Sequence, residues 1–123
     1  MDVISEAAFL VMDLEAHGRR DLAHEFLNSY LEASGDYAGV AVLPFYLVYR
    51  AVVRAKIGLI RAAQHGTAGQ RDQRALHDYS HYLALAGSYA APRRGAVIIT
   101  HGPSGSGKTT FTQALLAALG AVR

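Results

Sequence analysis

The sequence contains no cysteine and no tryptophan, only three prolines and two methionines, and no long uninterrupted apolar run. The lack of cysteine excludes disulfide bonds and thiolate metal sites and leaves the redox compartment undecided. No apolar stretch reaches the roughly 18 residues that a membrane-spanning helix needs, so we expect no membrane partner. Twelve Lys and Arg residues against ten Asp and Glu residues give a formal net charge of +2 without a basic run. This balance does not indicate nucleic acid as a partner.

What the sequence does contain fits a small globular protein. Its 123 residues, 51% of them hydrophobic, are enough to bury one modest core, and this length favours one domain. Asp2 and Glu6 stand at the start of the chain, ahead of and within its first apolar run, which is not typical of a secretory signal. We therefore expect a soluble cytoplasmic protein.

Apolar residues recur at helical spacing through most of the chain. The pattern predicts four helices, over residues 2–17, 20–34, 44–64 and 70–89, with a short helical turn between residues 36 and 43 and a break at residues 65–69. The third helix begins with residues 45–49, which are apolar or aromatic on all sides, and we expect this part to be the most buried of the chain.

Two groups of polar residues on these helices allow alternative interpretations. Arg50, Arg54 and Arg61 share one face, which indicates either a structural stripe, paired with carboxylates or solvated, or a pocket for an anionic ligand. His77 and His81 stand four residues apart, the spacing of a metal-binding pair. Since no third ligand is evident, surface or hydrogen-bonded histidines are the favoured interpretation.

A glycine-rich motif follows the helices. Residues 96–110 read AVIITHGPSGSGKTT, and residues 102–109 match the phosphate-binding P-loop pattern G-x-x-x-x-G-K-[ST]. The β-branched residues 97–100 predict a buried parallel strand, and the apolar residues after the loop predict a helix. The fold class expected from sequence is therefore mainly α: a four-helix region followed by the first β-strand–P-loop–helix unit of an α/β P-loop NTPase.

The residue types of this motif suit a nucleotide with Mg²⁺. Glycines let backbone N–H groups approach phosphates, and the N-terminus of the following helix favours anions. Lys108 is the candidate catalytic residue, reaching the β- and γ-phosphates, and the Thr109 hydroxyl is the candidate Mg²⁺ ligand. The candidate residues for binding ATP are Gly102, Pro103, Ser104, Gly105, Ser106, Gly107, Lys108, Thr109 and Thr110. The hydroxyl of Thr110 has no assigned role. The alternative is a Gly/Ser linker that contains a lysine and binds nothing.

Pro92 ends the fourth helix and opens a short charged linker, residues 92–95. The linker divides the chain into an α-helical region, residues 1–91, and the P-loop region, residues 96–123.

Two further stretches carry a resemblance to a known family. FLNSYLEASGDY at residues 26–37 and LPFYLVYRAVVRAK at residues 43–56, together with the P-loop, resemble bacterial proteins in which an aminoglycoside-phosphotransferase-like domain precedes a P-loop kinase domain. The resemblance implies that residues 1–91 are the C-terminal part of the first domain. Residues 96–123 would open a truncated second domain, similar to AAA-type or gluconate-kinase-like enzymes. The resemblance also implies phosphate transfer from ATP to an unknown small molecule.

Several parts of that family are missing from this chain. No upstream catalytic Asp, second strand or Walker B carboxylate has a counterpart here, so we expect a fragment or truncated product. The resulting hypothesis is the ATP-binding portion of a small-molecule kinase, incomplete and inactive by itself. The alternative hypothesis is a nucleotide-binding regulatory or adaptor module whose helices bind a partner. An incomplete sheet would also let the chain associate with itself.

Overall fold

The computed structural model describes residues 3–64, 70–92 and 95–123. The helices in this part of the chain are α1 Val3–Ala16, α2 Arg20–Ser34, α3 Leu43–Gln64, α4 Gln70–Ala90 and α5 Lys108–Leu119, with a 3₁₀ helix Tyr37–Ala41 between α2 and α3. The four helices and the helical turn predicted before residue 91 are confirmed, the helices to within one residue at each end. The predicted break at residues 65–69 and residues 93–94 of the predicted linker lie outside the described residues.

The predicted strand, and with it the β-strand–P-loop–helix unit of an α/β fold, is wrong. The described residues form helices and no β-strand, and residues 95–103 have no regular secondary structure. A parallel strand needs a neighbouring strand to accept and donate its backbone hydrogen bonds, and residues 97–100 pair with no strand in the described part of the chain. Val97 and Ile99 are accordingly 89% and 85% exposed. The segment is apolar, but its side chains are exposed.

The core lies among the first four helices. Helix α1 packs against α2 and α3, and α3 packs along α4. The largest fully buried side chains are Ile4, Met12 and Leu31. Small residues make up much of this core, since the buried set also contains Ala7, Ala8, Ala23, Ala51, Ala55 and Ala86. Alanine at these positions lets the helices pack at short interaxial distance.

The end of α2 shows why the chain turns where it does. Gly35 adopts φ 71° and donates its amide to the carbonyl of Leu31, which closes the helix in the left-handed conformation that glycine favours. The carboxylate of Asp36 then accepts the amide of Gly39 at 3.1 Å and so caps the 3₁₀ helix. These local signals lead the chain into α3, which packs against α1.

The expectation that residues 45–49 are the most buried part of the chain is wrong. Leu43, Leu47 and Ala51 are buried, but Phe45 is 67% exposed and Tyr49 is 54% exposed. A helix packed on one side buries one stripe, with a period near 3.6 residues. Where every residue is apolar, that period is invisible in the sequence, and packing against α1 and α4 decides which stripe is buried.

None of the helices in the described ranges is long and apolar enough to cross a membrane.

Candidate phosphate-binding loop

The P-loop motif forms a turn that leads directly into α5. Gly105 and Gly107 both adopt φ 79°, and positive φ occurs only at glycines among the described residues. A Cβ atom added to either glycine would have open space within 4 Å. These two positions therefore need glycine for backbone conformation rather than for room.

The loop closes on itself at its two ends. The amide of Ser106 donates to the carbonyl of Pro103 at 3.3 Å. A Cβ atom on Gly102 would lie 3.1 Å from the Ser106 hydroxyl oxygen, a tight contact. The chain entering the loop and the chain leaving it are therefore in close contact, and the loop is a compact concave turn.

The first turn of α5 faces this loop with unused amides. Gly107 is the N-cap residue and provides no side chain to cap the helix. The amide of Phe111 donates to the carbonyl of Gly107 at 3.0 Å, the first hydrogen bond of the helix. The amides of residues 108–110 precede that bond and have no carbonyl partner within the helix. They give this end of α5 partial positive charge.

Lys108 folds its side chain back over the loop. Its ammonium donates to the carbonyl oxygens of Gly102 at 2.8 Å and Pro103 at 2.6 Å, and it lies 3.4 Å from the Ser106 hydroxyl oxygen. All three partners are neutral oxygens, and within the described chain no carboxylate is paired with Lys108. The loop therefore holds a positive charge that no anionic side chain neutralises.

A cleft of about 380 Å³ lies between the extended segment before the loop and the first turn of α5. It is lined by Ile98, Ile99, Thr100, His101, Ser106, Gly107, Lys108 and Phe111. This lining contains a cation and no carboxylate, so its electrostatics favour an anionic ligand.

The remaining candidate residues lie at the rim of the loop. Ser104, Thr109 and Thr110 are exposed. The hydroxyl of Thr112 donates to the carbonyl of Lys108 at 2.7 Å within α5. The two exposed threonine hydroxyls on the first turn are hard oxygen donors of the kind that Mg²⁺ accepts.

The histidine pair on α4 has a structural explanation. His81 Nε2 lies 3.0 Å from the carbonyl oxygen of Ala16, and its ring stacks on that of His77 with centroids 6.5 Å apart. Within the described ranges no group of three or more His, Cys, Asp or Glu side chains is placed to hold a metal ion. The hydrogen-bonded alternative is therefore the one that describes His81.

The arginine stripe on α3 pairs with α1. Arg50 forms an ion pair with Glu6 and Arg54 with Asp13, each at 2.8 Å. The two guanidinium groups also lie 5.3 and 5.2 Å from the centroid of the Phe9 ring. Arg50 and Arg54 thus join α3 to α1, which agrees with the interpretation of the stripe as structural and paired with carboxylates. Arg61, the third member of the stripe, lies in the last turn of α3.

One further contact, between residues 121–123 and α2, was not predicted from the sequence. The Asn28 side chain donates to the carbonyl of Ala121 and accepts the amide of Arg123. Beside it, a cleft of about 450 Å³ lies between α2 and α5, with Asp21, Glu25 and Glu32 on the α2 side. The hydrogen bond from Arg19 holds the pKa of Asp21 below its ordinary value. Residues more than 90 positions apart in the chain leave no periodic signal of such a contact.

Comparison with known proteins places the chain beside longer relatives. Three uncharacterized mycobacterial proteins, two from strains of Mycobacterium tuberculosis and one from Mycobacterium bovis, are each 37% identical to it over 121 residues. The match takes in 98% of this chain but only 23% of each relative, so the chain spans less than a quarter of their length. No family model matches the chain, and no solved structure gives a significant match.

Proposed function

We propose that residues 102–110 bind the phosphates of ATP together with Mg²⁺. One observation carries the proposal: the Lys108 ammonium sits over a glycine loop at the uncapped start of α5, where only neutral oxygens contact it. A triphosphate would supply the missing negative charge. The unused amides at the start of α5 supply donors directed at the same place.

In this proposal, different groups of residues 102–110 would contact the phosphates and the Mg²⁺ ion. The amides of Gly105, Gly107 and the first turn of α5 would donate to phosphate oxygens. Lys108 would exchange its contacts with Gly102 and Pro103 for the β- and γ-phosphates. The Thr109 hydroxyl would hold Mg²⁺, which when bound neutralises charge on the phosphates.

We further propose that this binding serves phosphate transfer to a small hydroxylated acceptor in the cytoplasm, where ATP is abundant. In this proposal the chain is the ATP-binding portion of a small-molecule kinase of the two-domain bacterial type. Two observations support the phosphate-binding part of this proposal: the loop is followed directly by a helix, and the cleft beside it has Lys108 in its lining and no carboxylate, which favours an anionic ligand. The lining has no carboxylate to take the proton of the acceptor hydroxyl, and His101 is its one other candidate base, so we propose that this part alone binds nucleotide without completing transfer.

A second candidate is a nucleotide-binding adaptor, in which the helices bind a protein partner. It is favoured by the exposed stripe Phe45, Tyr49 and Val52 on α3, which presents apolar side chains at successive turns. The exposed segment 96–100 would in addition allow two copies of the chain to associate. In this alternative the nucleotide would act as a switch rather than as a substrate.

Calorimetric titration with Mg-ATP tests the proposal, because the chain contains two lysines that serve as test and control. Lys108→Ala is expected to weaken binding by about 10- to 100-fold, the range of a charge-assisted hydrogen bond. Lys56→Ala, at an exposed position on α3, is expected to bind as the unaltered chain does. The proposal fails if the unaltered chain does not bind, or if both variants bind alike.

ADP and AMP titrations separate the two candidates. A kinase portion is expected to prefer ATP through its γ-phosphate contacts without any change in assembly. An adaptor is expected to change its oligomeric state or partner binding between ATP and ADP.

A further inference from the structure

The last three residues of the chain lie along α2, and the Asn28 side chain holds two of them. Its Nδ2 donates to the carbonyl oxygen of Ala121 at 3.0 Å, and its Oδ1 accepts the amide of Arg123 at 2.8 Å. The same Nδ2 also lies 3.0 Å from the carbonyl oxygen of His24, one turn back on α2. The Asn28 carboxamide therefore forms hydrogen bonds with the carbonyl of Ala121 and the amide of Arg123. In a parallel sheet, a residue of the neighbouring strand forms the same pair of bonds through its own amide and carbonyl.

Two neighbouring contacts also hold the end of α5 and the residues after it, 120–123, against α2. Gly120 ends α5 with φ 58°, and a Cβ atom on it would lie 2.5 Å from His24 Nε2, so only glycine permits this approach. Arg123 pairs with Glu32 at 3.1 Å, one turn further along α2. This last pair is half-exposed and contributes little by itself. The hydrogen bond from Asn28 to Ala121 is partly buried and the one from Arg123 to Asn28 is exposed, and together they fix the direction of the chain after α5.

Helix α5 depends on such contacts because it lacks a buried side. None of its 12 residues is buried. A helix of this length is marginal in water without tertiary contacts. Fixing its last turn on α2 therefore raises the population of the whole helix, including the first turn at Lys108.

We propose that Asn28 is a positioning residue for the nucleotide loop. By holding the end of α5 on α2, it pre-organises the amides of residues 108–110, about 18 Å away at the other end of the helix. This inference rests on the proposed function, since it concerns the same phosphate site. Coupling between two sites is reciprocal, so nucleotide at the loop also tightens the contact of Asn28 with Arg123.

The test compares the full chain with Asn28→Ala and with the matched control Ser29→Ala, which changes the next residue of α2 in the same cleft. In calorimetric titrations with Mg-ATP, Asn28→Ala is expected to weaken binding by about 5- to 10-fold, at the low end of measured couplings. Ser29→Ala is expected to change it by less than about 2-fold on the same scale. Asn28→Asp keeps the acceptor for Arg123 and loses the donor to Ala121, so an intermediate affinity is expected.

A second readout separates positioning from general stability. Mg-ATP is expected to slow amide exchange at Arg123 in the unaltered chain and to leave it unchanged in Asn28→Ala. Equal affinities for the unaltered chain and Asn28→Ala would overturn the inference and leave the proposed function intact. No binding by the unaltered chain would overturn both. If Asn28→Ala does not fold, Asn28→Asp decides: an affinity equal to that of the unaltered chain overturns the inference.

Discussion

Lys108 Nζ lies 2.6 Å from the carbonyl oxygen of Pro103, five residues earlier in the same loop. The ammonium therefore has its hydrogen-bond partners without a ligand, but it has no counter-charge among the described residues. A phosphate that enters the loop has to compete with main-chain oxygens, and it gains a full charge–charge interaction in return. This balance favours di- and triphosphates, which carry more charge and more acceptor oxygens, over a single phosphate ion.

The left-handed conformation of Gly107 gives the first prediction. Gly107→Ala would place a Cβ atom on a residue at φ 79°, at a cost of about 1–2 kcal/mol, and would distort the start of α5. We expect nucleotide binding to fall by about 10-fold, the equivalent of that cost. The measurement is Mg-ATP titration of the folded variant.

Gly87→Ala provides the control for that substitution. Gly87 lies inside α4, and an added Cβ atom would meet nothing within 4 Å. We expect this variant to gain about 0.5–1 kcal/mol in free energy of unfolding and to bind nucleotide normally. If both glycine variants bind normally, the loop conformation is not needed for binding.

The adjacent threonines allow a test of the Mg²⁺ assignment. Thr109→Ala removes the hydroxyl proposed to hold the metal, so we expect the gain in ATP affinity on adding Mg²⁺ to shrink by about 5- to 10-fold. Binding of ATP without Mg²⁺ should change little. Thr110→Ala removes a hydroxyl that is exposed on the same turn, and we expect it to keep the full Mg²⁺ effect. Loss of the effect in Thr110→Ala alone would reassign the ligand.

The arginines of α3 are expected to affect stability and not nucleotide binding. Arg54 pairs with Asp13 at 2.8 Å and lies over the Phe9 ring, so Arg54→Ala should lower the free energy of unfolding by about 1–2 kcal/mol. A double-mutant cycle with Asp13→Ala, measured by urea unfolding, should assign about 0.5–1 kcal/mol to the ion pair. Weaker Mg-ATP binding in Arg54→Ala would support the anion-pocket alternative instead.

The exposed segment before the loop predicts association between copies of the chain. Val97, Ile98 and Ile99 are 89%, 60% and 85% exposed. A continuous group of exposed apolar side chains is typical of a surface that contacts another chain. We expect sedimentation to show concentration-dependent association.

Substituting lysine for an exposed apolar residue tests which surface of the chain forms the association. Ile99→Lys should abolish it without loss of stability, because the side chain is already exposed. Leu76→Lys, at an exposed apolar position on α4, should leave it intact. A monomer at all concentrations, or a dimer that persists in Ile99→Lys, would contradict the involvement of this segment.

The features that the sequence predicted correctly are local ones. The end of α2 follows from Gly35 and Asp36, and the first four helices follow from apolar spacing over about four to six turns. The loop glycines were recognisable because their spacing matches a motif with a known backbone requirement.

The features that the sequence predicted wrongly, or did not reveal, depend on distant parts of the chain. Residues 97–100 have the composition of a strand, but a strand forms only beside a partner. Phe45 is exposed because packing, and not hydrophobicity, selects the buried stripe of α3. The contact of Asn28 with Arg123 spans 95 positions, and neither residue type indicates it.

The most direct test of the account is residue-resolved amide NMR during titration with Mg-ATP, because the central claim is that backbone amides of the loop and of α5 hold the phosphates. We predict large saturable shifts at Gly105, Gly107, Lys108 and Thr109, with α1 and α3 unaffected. The same titration of Lys108→Ala should give small shifts that do not saturate in the same range. Saturable shifts confined to the arginines of α3 or to the cleft beside α2, with none in residues 102–110, would contradict the account.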